Sequence, residues 1–172
     1  GNAQVNPITG RPGNDELYGR GASDIVVETR DANFILTTTS LNIGTEVDLL
    51  DSMNRAILTG GVSNNTIDAT AASGSVQLFG LVGNDLLFGG SGGDILEGGA
   101  GNDDLFGGAG SDDYLFDTLQ SLGSDEVFEY VGGGIDDLLI DGLSVDLTDA
   151  LTQVISANLT LTLPNLNVEN AL

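Results

Sequence analysis

The sequence predicts an all-β chain wound as a parallel β-roll or β-solenoid of stacked coils, with glycine-rich turns between short strands. Three observations carry this. Four consecutive nonapeptides run from Gly80 to Leu115 (GLVGNDLLF, GGSGGDILE, GGAGNDDLF, GGAGSDDYL), each with Gly fourth and Asp sixth. An apolar residue follows two places after each Asp, which gives a glycine turn, a carboxylate and then a three-residue strand burying one side chain. Elsewhere β-branched runs of period two replace any helical pattern, and Pro is confined to Pro7, Pro12 and Pro164.

The chain is expected to be one solenoid over residues 1–172, in four stretches. Residues 10–27 hold two looser repeats, GRPGNDELY and GRGASDIVV, with Asp15 and Asp24 nine residues apart. Residues 28–79 lose most glycine and become β-branched, as in Phe34–Thr39 and Arg55–Thr59, between Asn-Ile-Gly and Thr-Gly-Gly turns. They read as longer-strand coils with degenerate turns, or alternatively as a separate antiparallel cap. Within them VSNNTIDAT places Asn65 at the glycine position and Ile67 at the Asp position, and AASGSVQLF places Gly74 fourth and Val76 at the Asp position. The coil is therefore expected to continue through 62–79 while the acidic row stops. Residues 80–115 are the regular repeat, and 116–172 return to longer strands. Leu147–Ile155 reads as a capped helix or as an outer strand. Leu78, Leu87, Leu96, Leu105 and Tyr114 should form an inward ladder, and Asp104, Asp113 and Asp137 should face solvent.

Composition narrows the function. The chain has 172 residues with 26 acids against four bases, a net charge of −22, and no Lys, His, Cys or Trp. Such charge repels nucleic acid and anionic membranes, and suggests that bound cations offset it. A hydrophobic content of 40% in fixed phase with the Asp residues argues against a disordered acidic tail. No apolar run reaches the length of a membrane span. Without His or Cys there is no His-Glu-x-x-His zinc site, no Ser-His-Asp triad and no thiol nucleophile, and without Lys no phosphate loop or Schiff base. The chain is therefore read as non-enzymatic, with no small-molecule substrate.

The nonapeptides are those of a calcium-binding repeat. Calcium takes six to eight oxygens at roughly 2.3–2.6 Å, carbonyls serving as well as carboxylates. The glycine turn lets carbonyls converge, and the short Asp supplies charge from within it. The pattern resembles the RTX (repeats-in-toxin) nonapeptide of large bacterial secreted proteins, and looser likeness to the segments between such repeats extends over Thr59–Ala69, Tyr114–Val127 and Val154–Leu163. The resemblance implies calcium between turns stacked eighteen residues apart, with Asp85 on Asp103 and Asp94 on Asp112. It implies that the carbonyls of Gly90, Gly92, Gly99 and Gly101 are among the ligands. It further implies right-handed coils and export followed by folding in external calcium. Asp103 is expected to share an ion with the Gly123-Ser124-Asp125 turn, and Asp136 to share one with Asp125 or a later turn. Asp15 and Asp24 have the motif, but eighteen residues on stand Asn33 and Asn42; each outer Asp is a ligand or an Asx-turn acid.

The expected role is a secreted or cell-surface structural module that folds on calcium and stacks end to end on copies of itself, in a surface layer, matrix or filament. Joined tail to head, Asn167–Leu172 and Gly1–Gln4 read as an uninterrupted coil. The alternatives are the RTX tail or adhesin domain of a larger exported protein, and an ice-binding face built on Thr37, Thr39, Thr160 and Thr162. The chain begins without Met, as after removal of a leader or within a longer protein.

Overall fold

Every nine to twelve residues the sequence supplies one short apolar-alternating run and one turn. The computed structural model converts each run into a strand and each pair of strands into a coil. It describes residues 4–20, 24–117, 122–129, 134–141, 151–155 and 159–162. Outside residues 34–51, successive strands alternate between two sheets, so each pairs in parallel with the strand one coil away.

One sheet stacks β1 (Pro7–Ile8), β3 (Asp24–Thr29), β7 (Met53–Thr59), β9 (Val76–Val82), β11 (Ile95–Ala100), β13 (Asp113–Asp117), β15 (Asp136–Asp141) and β17 (Leu159–Thr162) in that order. The other contains β2 (Glu16–Tyr18), β4 (Phe34–Thr37), β5 (Ser40–Ile43), β6 (Glu46–Asp51), β8 (Thr66–Ala71), β10 (Leu86–Phe88), β12 (Asp104–Phe106), β14 (Asp125–Phe128) and β16 (Leu151–Ile155). Its order is β2-β6-β5-β4-β8-β10-β12-β14-β16. The parallel β-roll expected from the nonapeptides is the fold of the chain.

The regular block keeps strict register: Leu87 pairs with Leu105, and Leu96 with Leu78 and Tyr114. All five residues of this ladder are fully buried between the two sheets. Val127, Leu138 and Ile140 extend the core past it. Asp104 faces solvent, and Asp113 and Asp137 are half-buried. On the outer face Phe88, Phe106 and Phe128 stack ring on ring, with centroids 4.7 and 4.3 Å apart.

Residues 34–51 depart from simple coiling. Here β4 pairs antiparallel with β5 and β5 with β6, while β4 is parallel to β8 and β6 parallel to β2. The antiparallel alternative for this stretch thus holds locally, as a meander inserted within one sheet. The opposite sheet runs past it without interruption, because β3 pairs directly with β7. Gly44, at φ 59°, makes the β5–β6 turn. Phe34, Leu36, Leu41, Ile43 and Leu50 turn inward to join the common core.

One sequence reading needs correction and another is decided in part. Register pairs Thr66 with Leu86 and Ile67 with Leu87, so Asn65 stands in the Asp column and Ile67 is a buried ladder residue. This coil takes twenty residues instead of eighteen, which moves the frame by two. Within Leu147–Ile155, residues 151–155 form a strand, and 147–150 lie outside the described residues. Among the described residues no helix is long and apolar enough to cross a membrane.

Candidate metal centre

The sixth residue of each repeat enters its strand at the solenoid edge, where parallel stacking sets it above its counterpart one coil away. The result is two columns of Asp on opposite edges. In one, the Asp85 N–H donates to Asp103 Oδ1 (2.7 Å) and the Asp103 N–H to Asp125 Oδ1 (3.0 Å). In the other, the Asp94 N–H donates to Asp112 Oδ1 (2.8 Å) and the Asp112 N–H to Asp136 Oδ1 (3.0 Å). Asn65 and Val76 end these columns, their N–H groups donating to Asp85 Oδ1 and Asp94 Oδ1.

One oxygen of each carboxylate is therefore spent on the backbone of the preceding coil. The other behaves differently. Asp24, Asp48, Asp85, Asp103 and Asp112 each bury an Oδ2 that accepts no hydrogen bond among the described residues. Burial of an unpaired anionic oxygen is expensive and calls for a counter-charge. For Asp85, Asp103 and Asp112 no base is available nearby in sequence: eighteen acids and no Lys or Arg follow Arg55.

The surroundings of these oxygens bring further oxygen acceptors close. The first glycine of each repeat passes so close to its own Asp that a Cβ would clash. On Gly80 such an atom would overlap Asp85 Oδ2 and lie 2.5 Å from the Gly98 carbonyl oxygen. On Gly89 it would overlap the Gly107 carbonyl and lie 2.7 Å from Asp94 Oδ2. Carboxylate and carbonyl oxygens from adjacent coils thus converge on one small space, the donor set a hard cation requires. Burial is also the main reason these carboxyls titrate high: Asp85 and Asp94 are raised, Asp103 is pushed up to about 6, and Asp112 and Asp125 to about 7. Asp94 differs in detail, since the Gly90 N–H donates to its Oδ2 (2.6 Å).

The carbonyls nearest these Oδ2 atoms belong to first-position glycines, Gly98 near the unpaired oxygen of Asp85 and Gly107 near the Oδ2 of Asp94, and sequence reasoning did not name them. Gly90 offers its carbonyl to the Ala109 N–H (3.0 Å). The Gly92 carbonyl lies against Gly110, and that of Gly101 against Gly123. Gly99 takes a left-handed φ of 99°, packed on the Leu81 carbonyl. The signal for Gly98 and Gly107 is present in the sequence as the invariable first Gly of the four repeats.

The outer positions are only partly legible in the sequence. Asp125 joins the Asp103 column as expected. Asp136 does not approach Asp125: the two lie on opposite edges, and Asp136 stacks on Asp112 because β15 pairs with β13. Asp15, without an Asp eighteen residues on, receives one from thirty-three residues on, its N–H donating to Asp48 Oδ1 (2.9 Å). The meander does this by laying β6 beside β2, a rearrangement that fixed spacing does not reveal. Asp24 accepts from the Asn6 N–H (2.7 Å), and Gly19 brings the Ser52 carbonyl close to its Oδ2.

Residues 1–27 and 79–114 match the RTX calcium-binding nonapeptide repeat, in four copies. Those segments are RTX repeats; they bind calcium, and the repeat is a structural unit in place of a catalytic one. No curated protein matches the chain.

Proposed function

We propose that the chain is an extracellular calcium-dependent structural module whose solenoid is completed by ions held at the Asp columns. The observation that carries this is the stacking of buried Asp oxygens without partners beside converging carbonyls. Asp85 with Asp103, and Asp94 with Asp112, are the central pairs. Asp103 with Asp125, Asp112 with Asp136, and Asp15 with Asp48 extend them, and Asp24 holds an ion with the Ser52 carbonyl. When bound, calcium supplies the positive charge that lets successive carboxylates sit one strand spacing apart, about 4.8 Å.

External calcium modules bind at about 10⁻⁴–10⁻³ M. At such affinity the regular block folds in millimolar calcium outside the cell and remains unfolded where calcium is scarce. RTX proteins are typically secreted, which favours this setting. The role is mechanical, not catalytic. Copies stack end to end, a reading supported by the parallel coiling, in which each sheet among the described residues grows by adding one strand per coil.

Calcium titrated into metal-stripped protein should produce a cooperative gain of β-sheet circular dichroism that chelator reverses. Full β signal in chelator would remove the metal from the folding reaction. Light scattering rising in step with the β signal supports stacking, whereas monodisperse particles at high concentration and millimolar calcium overturn it.

A further inference from the structure

The regular repeats begin with glycine, and the strand after Asp125 is followed instead by an acid. Glu129 comes directly after Phe128, which pairs with Phe106, so it occupies the place that Gly107 holds one coil earlier. Its side chain reaches back over Gly107. A Cβ on that glycine would lie 2.5 Å from Asp112 Oδ2 and 2.7 Å from Glu129 Oε1. Carboxylate oxygens of Asp112, Glu129 and Asp136 come within 4.8 Å of one another.

A second departure from the repeat accompanies the first. The ladder position that is Leu in three preceding repeats is Tyr114, wholly buried with its hydroxyl at this corner. The Gly107 N–H donates to Tyr114 Oη (2.7 Å), and Tyr114 donates to Glu129. Tyrosine thus fixes the glutamate in a corner where Asp112, fully buried, turns an unpartnered Oδ2 inward. Like charges gathered there have no nearby Lys or Arg in sequence to offset them.

We propose that Glu129 is a ligand in a three-carboxylate calcium site with Asp112 and Asp136, and that this corner binds calcium more tightly than the two-carboxylate corners. The proposal rests on the calcium reading above and adds a rank order to it. Calcium affinity in oxygen-ligand sites rises with ligand charge.

The opposite end of the chain provides a contrast. Glu28 also stands where a repeat would begin, and its Oε1 accepts from the Gly10 N–H (2.7 Å) beside Asp15 and Asp48. There the Arg30 Nε lies 3.7 Å from Glu28, so protein charge already offsets one carboxylate. The Glu129 corner has tyrosine, a neutral donor, beside its glutamate, and gathers three carboxylates.

Isothermal calorimetry of calcium binding to the whole chain tests this. Wild type should show one ion bound more tightly than the rest. Glu129→Gln should weaken that ion at least ~10-fold and leave the others unchanged. Glu129→Gly, which restores the regular first residue, should do the same and guards against a folding defect peculiar to glutamine. Terbium should give tyrosine-sensitised emission at the first equivalent, lost in Tyr114→Phe and in Glu129→Gln. Superposable calcium titrations for wild type and both Glu129 variants would overturn the proposal while leaving the general calcium reading intact. Absence of calcium binding in wild type would overturn both.

Discussion

Residues 34–58, the meander together with most of β7, and the regular block, 85–114, share one solenoid and are held together differently. The first buries Phe34, Leu36, Leu41, Ile43, Leu50, Met53, Ala56 and Leu58, with Asp48 as its one buried acid. The second buries Leu87, Leu96, Leu105 and Tyr114 against four buried Asp residues, one for each apolar side chain. Burying an aliphatic side chain contributes roughly 1.5–3 kcal/mol, whereas each unpaired buried carboxylate costs several. The same coil geometry is thus packed mainly by apolar side chains in one block and by equal numbers of apolar and acidic ones in the other. On the calcium proposal, the block with the most regular sequence is the one expected to depend on bound ions.

The largest effect that would sharpen this contrast is on calcium removal. Hydrogen exchange in chelator should strip protection from the amides of 85–117 while those of 34–58 stay slow. Equal loss in both blocks would mean that the solenoid melts as one unit and would break the comparison.

The same substitution in the two regions should differ next most. Gly101 has φ 150°, and a Cβ there would overlap the Gly83 carbonyl oxygen of the adjacent coil. Gly44 has φ 59° with nothing within 4 Å of the added atom. Gly44→Ala should cost only the left-handed backbone penalty, about 1–2 kcal/mol. Gly101→Ala must push neighbouring coils apart and should exceed that by at least ~2 kcal/mol. Chemical denaturation in saturating calcium measures both, and equal values would deny the close stacking of the regular turns.

Asp103→Asn should change sign with calcium. Asn retains an oxygen for the Asp85 N–H but removes a buried charge. In chelator at neutral pH the variant should be more stable than wild type by about 1–3 kcal/mol, since the unpaired anionic oxygen is gone. In saturating calcium it should be less stable, because two corners lose a charged ligand. Destabilisation under both conditions would mean that Asp103 is a turn residue. Asp48→Asn tests the same logic beside the meander, where a smaller calcium effect is expected because Arg30 and apolar packing share the load.

The sequence announced the ladder, the columns and the fold because each nonapeptide repeats one physical unit, a tight turn, a charge and one buried side chain. Leu87, Leu96 and Leu105 needed only their phase. What stayed hidden depended on non-local pairing. Asp48 reaches Asp15 only because β4, β5 and β6 double back, and no spacing rule encodes that. Asp136 is misplaced by spacing because alternate turns belong to opposite edges, so nearness in sequence to Asp125 is distance across the solenoid. Asn65 falls two residues out of frame because its coil is longer than the eighteen-residue standard. Glu129 carries a signal, an acid in a glycine position, whose meaning appears only once Gly107 and Tyr114 are seen beneath it.

The finest test of the comparison is pH. In the metal-free protein burial pushes Asp103 up to about 6 and Asp112 and Asp125 to about 7, from an ordinary 3.8. The folded state therefore holds these protons more tightly than the unfolded chain. That contribution to metal-free stability is complete below the ordinary value and is lost as pH rises through about 6 to 7. Calcium needs the ionised carboxylates, so its affinity should rise across the same window and level off above it. Calorimetry in buffers of different ionisation enthalpy should detect proton release on binding at pH ~6 and almost none at pH ~8. Hydrogen exchange in chelator should show the regular block losing protection over that window while 34–58 changes little. Binding without proton release at pH ~6 would mean that the Asp columns are already ionised before the metal arrives. Neutralisation by protons would then give no reason to expect the regular block to keep its protection without calcium at low pH.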